Sequence, residues 1–409
     1  MKALTDSLLP GQPCLPLQKS GVIGPVAAPL HFTLDGNDEL ERRLAGVCKT
    51  IMAGLRGLIP SHRLQAVLLG GGYGRGEGGV MRTGEDEHPY NDLEFYVCLR
   101  GNRHLNERLY HLPLEVLGEI LTPMAGAEIE FKIISLAELR PSRISMFSYD
   151  LLMGHRWLLG HEGLILGFAH HRIADKIPPS EATRLLMNRC SGLLFAQERL
   201  ERDEFTAADA DFVQRNMAKA ELAFGDALLT AHGQYHWSCQ ERHLRLQRLV
   251  PAQPLPWLED VRAHHAAGVK FKLHPERSTA SRAVLQMQQR EVVALGLKVW
   301  LWQEKRRLGA DFTSASDYAG NRLNKCPETR RHRNLLVNIK IGGLRSLFKF
   351  DSFRHPRERV FRALCILLWG HTARVLPPPP DRPDTALLAS TSPFTDLVAS
   401  YKALWQRVN

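Results

Sequence analysis

The stretch Leu68–Leu99, LLGGGYGRGEGGVMRTGEDEHPYNDLEFYVCL, decides the fold of the first part of this 409-residue chain. A short apolar run ends in a glycine-rich turn, and about twenty residues later Asp92 and Glu94 open a second apolar run. Successive side chains of a strand point to opposite faces, so Asp92 and Glu94 share one face. Two carboxylates on one face beside a glycine turn suit a divalent cation and a nucleoside triphosphate.

A third acidic group is available on the next apolar segment, Glu128–Leu136. Glu128 and Glu130 share a face of this predicted strand, and Glu130 is the better candidate because Phe131 and Ile133 place it inside the strand. Two Mg²⁺ ions held by such carboxylates activate an attacking hydroxyl and stabilise a departing pyrophosphate. The sequence therefore predicts a metal centre in which Glu130 joins the two acids of the preceding strand, with all three acting in catalysis.

The glycine turn is predicted to bind the anion that such a centre needs. Consecutive glycines at 70–72 let the backbone turn sharply and let its amides approach a phosphate closely. We expect Gly71, Gly72 and Tyr73 to contribute to nucleotide binding. Arg75 has a side chain that pairs with phosphate oxygens, and a structural clamp within the turn is the alternative role for it.

Predicted helices and strands alternate before residue 143, and the periodicity of helices dominates after it. The spacing predicts a helix at Glu39–Leu58, strands at Gln65–Leu69 and Leu93–Leu99, and a helix at Leu105–Leu121 that Pro113 restarts partway. Further helices are predicted at 181–201, 207–231, 239–249, 284–307 and 394–408. The fold class is therefore α+β, with a small mixed-sheet core followed by a mostly α-helical domain.

Changes in composition and the positions of Pro- and Gly-rich stretches divide the chain into four segments. Residues 1–36 are rich in Pro and Gly and are predicted to form an extended arm, and 37–175 form the α+β domain. Residues 176–375 form the helical domain, and 376–409 combine a Pro-rich connector with a terminal helix.

Bulk properties restrict the class of protein. The longest apolar run is far too short for a membrane span, and the N-terminus is not a convincing secretory signal. The seven cysteines are scattered without CxxC spacing, which argues against a disulfide framework and for a reducing compartment. We expect a cytoplasmic protein without a membrane partner.

The basic charge of the chain makes binding of a nucleic acid one function to consider. The net charge is +10, and residues 321–362 are strongly basic with Phe348, Phe350 and Phe353 interspersed. Phosphate contacts plus stacking on these rings would hold RNA. A basic helix face whose phenylalanines lie in the core is the alternative, and it is the interpretation we favour.

The chemistry-bearing residues resemble those of a known family. Leu69–Glu77 is similar to the glycine–serine turn of the DNA polymerase β-like nucleotidyltransferase superfamily, Asn91–Phe95 to its acid-bearing strand, and Ile129–Lys132 to the strand with its third carboxylate. The resemblance covers roughly residues 40–160. Family members transfer a nucleoside monophosphate, usually from ATP, to a hydroxyl group. The resemblance therefore implies two Mg²⁺ ions, ATP or another nucleoside triphosphate as donor, and an unidentified acceptor that is a small molecule, a protein or RNA.

Helical domains of similar enzymes often contribute a lysine to the triphosphate, and Lys219 is the candidate here. A solvated surface lysine is the alternative. Two departures from the family pattern stand out: Gly72 occupies the position of the usual serine, and the spacer 73–91 is longer than usual. The spacer contains an acidic insert at 85–87, which is predicted to be a hairpin tip or to reshape nucleotide access.

Three other functions remain open at this stage. One is a catalytically inactive nucleotidyltransferase-fold module that binds RNA or a protein partner, and another is a toxin that modifies tRNA or protein. Residues 74–79 also fit the GxGxxG pattern of dinucleotide-binding proteins. That pattern needs a helix directly after the turn, and residues 81–91, with Gly, Pro and clustered acids, are poor helix material.

Overall fold

The computed structural model describes residues 31–343, 352–370 and 393–408. Its main sheet has four strands in the order β5-β4-β1-β6, and β2 and β3 form a separate two-stranded hairpin. Strand β4 pairs parallel with β5 and antiparallel with β1, so the sheet is mixed. The strands are β1 (Leu64–Leu69), β2 (Val80–Thr83), β3 (Asp86–Pro89), β4 (Leu93–Leu99), β5 (Ile129–Ile134) and β6 (Arg156–Leu159).

Helices account for most of the remaining chain. Those of the first part are α1 (Asp38–Leu58), α2 (Gly71–Arg75), α3 (Arg103–Ala125), α4 (Leu136–Leu139) and α5 (Met146–Met153). Short 3₁₀ segments at Glu162–Arg172 and Ala174–Lys176 lead to the second part. Its helices are α6 (Pro179–Leu200), α7 (Ala207–Ala231), α8 (Cys239–Arg248), α9 (Leu258–Leu273), α10 (Arg282–Leu308), α11 (Ala315–Gly320), α12 (Arg331–Gly342), α13 (Arg357–Leu364) and α14 (Phe394–Val408), with a π-helical turn at Cys365–Gly370. The predicted α+β class is confirmed.

The two faces of the main sheet pack against different partners. Alternation along β4 sends Phe95 and Val97 towards α1 and α3, and it sends Tyr96 and Cys98 towards α5 and the first 3₁₀ segment. Glu94 has the same parity as Tyr96 and therefore lies on the α5 side of the sheet. The acidic residues thus face away from the larger apolar core of this domain.

The helical part has its own core, which extends from α5 to α14. Trp300 of α10 is fully buried at its centre and makes edge-to-face contacts with Tyr318 and Phe361. Such aromatic pairs add about 0.5–1.5 kcal/mol each beyond the area they bury. Among the described residues, no helix is both long and apolar enough to cross a membrane. Six cysteines of the described chain are free and buried, and Cys14 lies outside it.

Several predicted elements agree closely with the structure, and a few differ. Strand β4 has the predicted bounds, and the acidic insert does form the turn and outer strand of the β2–β3 hairpin. Helix α3 continues through Pro113 instead of restarting there, and its packing against α1 and β5 stabilises the continuous helix. Strand β6 and helix α9 lacked a recognised signal in the sequence. The connector at 376–384 and nearly all of the arm at 1–36 lie outside the described residues.

The basic segment is largely occupied with folding interactions. Lys325 is buried, and its ammonium group donates to the carbonyl oxygen of Asn321 at 2.8 Å. The guanidinium of Arg354 donates to the carbonyl oxygens of Arg322 and Leu323 and pairs with Glu358. These bonds support the helix-face interpretation for the basic side chains of this part of 321–362. Phe353, however, is 50% exposed and does not lie in the core, and Phe348 and Phe350 lie outside the described residues.

The glycine turn is joined to the helical part by Glu77, which is buried. Its carboxylate accepts hydrogen bonds from the Ser238 hydroxyl at 2.5 Å and from the Cys239 amide at 2.9 Å, at the first turn of α8. A negative group at a helix N-terminus is favourable because the amides there lack partners. Burial raises the pKa of Glu77, but Lys272 and these donors outweigh it, and the net pKa is lowered.

We predict that Glu77→Gln lowers the free energy of unfolding by about 2 kcal/mol at pH 7, the cost of weakening a charged buried hydrogen-bond acceptor. A carboxyl group whose pKa is lowered by folding stabilises the protein above its unfolded pKa, about 4.3, and loses that contribution as the pH falls through the folded value. The difference between wild type and variant should therefore be constant from neutral pH to about 5 and shrink below about 4.

Urea denaturation at a series of pH values measures this difference. The exposed Glu85, at the tip of the hairpin, supplies the control variant Glu85→Gln, which should unfold like the wild type. Equal stability of Glu77→Gln and wild type at pH 7 would contradict the proposed role of Glu77.

Candidate metal centre

Three carboxylates from two neighbouring strands converge on the α5 side of the sheet. Glu94 lies in β4 and Glu130 in β5, and the two are direct partners in the parallel pairing. Asp92 precedes β4 by one residue and has the same parity as Glu94. One carboxylate oxygen of each residue lies within 4.8 Å of those of the other two. The structure thus brings together the three acids that the sequence predicted as metal ligands.

The donor set and its exposure fit a hard divalent cation. Asp92 is exposed, and Glu94 and Glu130 are half-buried, so a bound ion would keep access to water and to a second ligand. Magnesium prefers oxygen ligands and usually combines one or two protein carboxylates with waters and substrate phosphates. Three oxygens from Asp92, Glu94 and Glu130 are therefore a suitable half-shell for Mg²⁺.

Lys132 interacts with this cluster, and sequence reasoning assigned it no function. Its ammonium group lies 3.1 Å from Glu94 Oε1 and 2.9 Å from Glu130 Oε2. Burial lowers the pKa of Lys132, but the two carboxylates outweigh it, and the net pKa is raised. The ammonium therefore neutralises part of the charge that a cation would otherwise balance. The signal was present in the sequence, since Lys132 shares a strand face with Glu130.

Tyr96 fixes one of the three carboxylates. Its hydroxyl donates to Glu94 Oε2 at 2.9 Å, and its side chain is buried. Burial and the neighbouring carboxylate of Glu94 raise the pKa of Tyr96, so the hydroxyl keeps its proton. Glu94 therefore has one oxygen held by Tyr96 and the other by Lys132.

The glycine turn runs directly against the acids. The amide of Gly70 donates to the Glu94 carbonyl at 2.9 Å, and Gly71 has a left-handed backbone with φ of 61°. A Cβ atom on Gly71 would lie 3.3 Å from Glu94 Oε2, and one on Gly70 would overlap the Tyr96 ring. Glycine at both positions lets the first turn of α2 approach the carboxylates. The amides of a first helical turn have no acceptor within the helix, so they are available to an anion.

The side chain of Tyr73, a residue predicted to contribute to nucleotide binding, lies inside the turn. Its side chain is fully buried, and its hydroxyl donates to the Gly79 carbonyl and accepts from the Tyr90 amide. Burial, the largest influence, raises the pKa of this hydroxyl. Tyr73 therefore holds the turn together from inside and does not reach the acidic cluster with its side chain.

Arg75 also has a structural position. One guanidinium nitrogen lies 3.1 Å from Asp150 Oδ2, and another donates to the Trp237 carbonyl at 3.0 Å. Of the two roles considered for Arg75, the structure supports the clamp, because the side chain joins the turn to α5 and to the segment before α8. The expected pairing of Arg75 with phosphate is not supported by this arrangement.

Gly72 lies where the resembling family has serine, and the packing explains the difference. A Cβ atom here would lie only 2.9 Å from the Glu77 carbonyl oxygen, closer than real Cβ contacts allow. The amide of Glu77 also donates to the Gly72 carbonyl at 2.9 Å. The backbone that sends Glu77 towards α8 therefore leaves no room for a serine side chain.

Basic groups of the helical part face the acids. Lys219 on α7 lies within electrostatic reach of Asp92, and Arg189 on α6 within reach of Glu94. Although solvent reaches Lys219, its surroundings desolvate it, and this together with Arg189 and Arg215 lowers its pKa to about 8. Within residues 31–343, 352–370 and 393–408, neither the side chain of Lys219 nor that of Arg189 makes a hydrogen bond or an ion pair. An anion bound to a metal ion at the carboxylates would therefore meet these cations on its other side.

Comparison with known proteins adds no family assignment. No family model matches the chain, and no curated protein matches it significantly. The geometry described above therefore carries the functional argument by itself.

We predict that Lys132→Met strengthens Mn²⁺ binding roughly five-fold, equivalent to about 1 kcal/mol, because the ammonium competes with the cation for Glu94 and Glu130. Calorimetric titration of the full-length protein with Mn²⁺ measures the change. Lys132→Arg retains the charge and should bind Mn²⁺ like the wild type. Unchanged or weaker binding by Lys132→Met would rule out the competition.

Proposed function

We propose that this chain is a Mg²⁺-dependent nucleotidyltransferase that moves a nucleoside monophosphate, with AMP from ATP the first candidate, to a hydroxyl group and releases pyrophosphate. The observation that carries the proposal is the convergence of Asp92, Glu94 and Glu130 within 4.8 Å beside a glycine turn. The cations Lys219 and Arg189, which lie within electrostatic reach of Asp92 and Glu94 and whose side chains make no hydrogen bond or ion pair among the described residues, support it.

Asp92, Glu94 and Glu130 would hold the metal, and the bound metal would supply charge stabilisation for the phosphates and the entering oxygen. Two ions correspond to the two-metal arrangement of phosphoryl-transfer enzymes. Lys132 balances the charge of Glu94 and Glu130 while no cation is present. The positive charge of Lys132 thereby offsets part of the free-energy cost of desolvating the carboxylates.

The triphosphate would lie between the acidic and the basic groups. Lys219 and Arg189 attract its oxygens from the helical part, and backbone amides near Gly71 and Gly72 contact it from the turn. The acceptor hydroxyl oxygen forms a bond to the α-phosphorus while the bond from that phosphorus to the bridging oxygen breaks. The electron pair leaves with pyrophosphate, and Glu130 helps to polarise the hydroxyl and to take its proton.

A nucleotide-binding module without transfer activity is the second candidate. Gly72 favours it, because the packing of the turn excludes the serine hydroxyl that touches a phosphate in the resembling family. Both candidates predict nucleotide binding, but only the transferase predicts release of pyrophosphate. Release of pyrophosphate in the presence of a panel of hydroxyl acceptors, including small molecules, protein and RNA, separates them.

We predict that Asp92→Asn combined with Glu94→Gln abolishes transfer, with a loss of about a thousand-fold or more, because the substituted amides cannot balance the cation charge. The measurement is transfer of label from α-labelled ATP to the acceptor panel. Asp86→Asn, an exposed acid on the hairpin, is the matched control and should retain activity. Transfer activity that survives the double substitution would refute the proposed centre.

We predict that nucleotide affinity falls as the pH rises through about 8, because Lys219 loses its charge over that range. The lysine is protonated and able to pair with phosphate below this pKa, and it is neutral above it. Lys219→Arg keeps its charge and should remove the decline. Titration with a non-hydrolysable ATP analogue between pH 6.5 and 9.5 measures the effect.

Lys298, an exposed lysine of α10, supplies the control variant Lys298→Met, which should bind the analogue like the wild type at every pH. Wild-type affinity that is constant over the whole range would contradict a role for Lys219 in holding the triphosphate.

A further inference from the structure

Helix α3 is apolar on two opposite faces. Its inner face is buried against the sheet through Leu114, Leu121 and Ala125. Its outer face carries a stripe of large apolar side chains that are between 43% and 67% exposed: Leu105, Leu109, Leu112, Val116, Ile120 and Met124. A contiguous stripe of exposed apolar side chains on a folded surface marks an interaction site. The outer stripe is therefore a contact surface whose partner is a separate molecule or segment.

The stripe is nearly symmetric about its own centre. A two-fold axis across the middle of α3 would place Leu112 opposite Val116 of a second copy. The same operation would place Leu109 opposite Ile120 and Leu105 opposite Met124, so every apolar position meets another. The stripe is about 28 Å long at 1.5 Å per residue. A surface complementary to itself under a two-fold rotation is what a symmetric dimer requires.

Charge favours the same antiparallel arrangement. One flank of the stripe is basic in its first half, at Arg108 and His111, and acidic in its second half, at Glu115 and Glu119. Antiparallel two-fold packing brings the same flank of both helices together, so Arg108 would approach Glu119 of the second copy. In the described chain, neither Arg108 nor Glu119 forms an ion pair.

We propose that two copies of this chain associate through an antiparallel contact between their α3 helices, with Leu112 and Val116 at the centre. The contact lies on the outer side of the catalytic domain and is independent of the proposed nucleotidyl transfer. Its first half borders a surface groove that is lined by Leu105, Arg108, Leu112 and Phe147 and that reaches Lys132.

Sedimentation equilibrium of the full-length protein tests the dimer. The expected mass at tens of micromolar is that of two chains of 46.1 kDa each. Leu112→Glu and Ile120→Glu should each weaken association about tenfold or more, because each places a charge in the apolar centre on both copies. Leu166→Glu, at an equally exposed apolar position of the first 3₁₀ segment, is the control and should leave the dimer unchanged. Circular dichroism establishes that the variants fold.

A charge exchange tests the orientation. Arg108→Glu and Glu119→Arg should each weaken the dimer several-fold, and the double variant should restore it. The two positions are eleven residues apart on one helix, too far for contact within a copy, so restoration requires the second copy. The proposal would be overturned if the protein is monomeric at all concentrations. It would also be overturned if Leu112→Glu and Ile120→Glu leave the dimer unchanged. If the single variants weaken the dimer and the double variant does not restore it, the antiparallel arrangement is wrong.

Discussion

The in-register parallel pairing of β4 with β5 is the constraint on which the rest of the candidate centre depends. It places Glu94 directly beside Glu130, and like charges on neighbouring strands destabilise a sheet. In the free protein the positive charge of Lys132 compensates for this cost, with its nitrogen within 3.1 Å of both carboxylates. Because a side-chain ammonium group compensates the two carboxylates, a metal ion could take its place between them.

The glycine turn connects this pairing to the helical part of the molecule. Gly70 and Gly71 give the backbone close access to Glu94, while Arg75 and Glu77 anchor the same turn to the segment around α8. Movement of the helical part would therefore be transmitted to the turn. The cations Arg189 on α6 and Lys219 on α7 lie within electrostatic reach of the carboxylates Glu94 and Asp92, and these anchors hold the turn beside them.

The sequence predicted the parts of this arrangement that local alternation determines. Asp92, Glu94 and Glu130 were identified because residues two apart share a strand face, and β4 was placed correctly because its apolar run is uninterrupted. The burial of the Tyr73 side chain and the contact of Arg75 with Trp237, 162 residues along the chain, arise from tertiary packing that local sequence does not reveal. Strand β6 is only four residues long, and its pairing with β1 gives no periodic signal.

The most direct measurement of the central claim is a crystal structure of the full-length protein with Mn²⁺ and a non-hydrolysable ATP analogue, with the ion located by its anomalous scattering. The account predicts an anomalous peak at coordination distance from oxygens of Asp92, Glu94 and Glu130, with Lys132 moved away from at least one carboxylate. It also predicts that the triphosphate lies between that ion and Lys219. A peak elsewhere, or a nucleotide bound away from the acidic cluster, would contradict it.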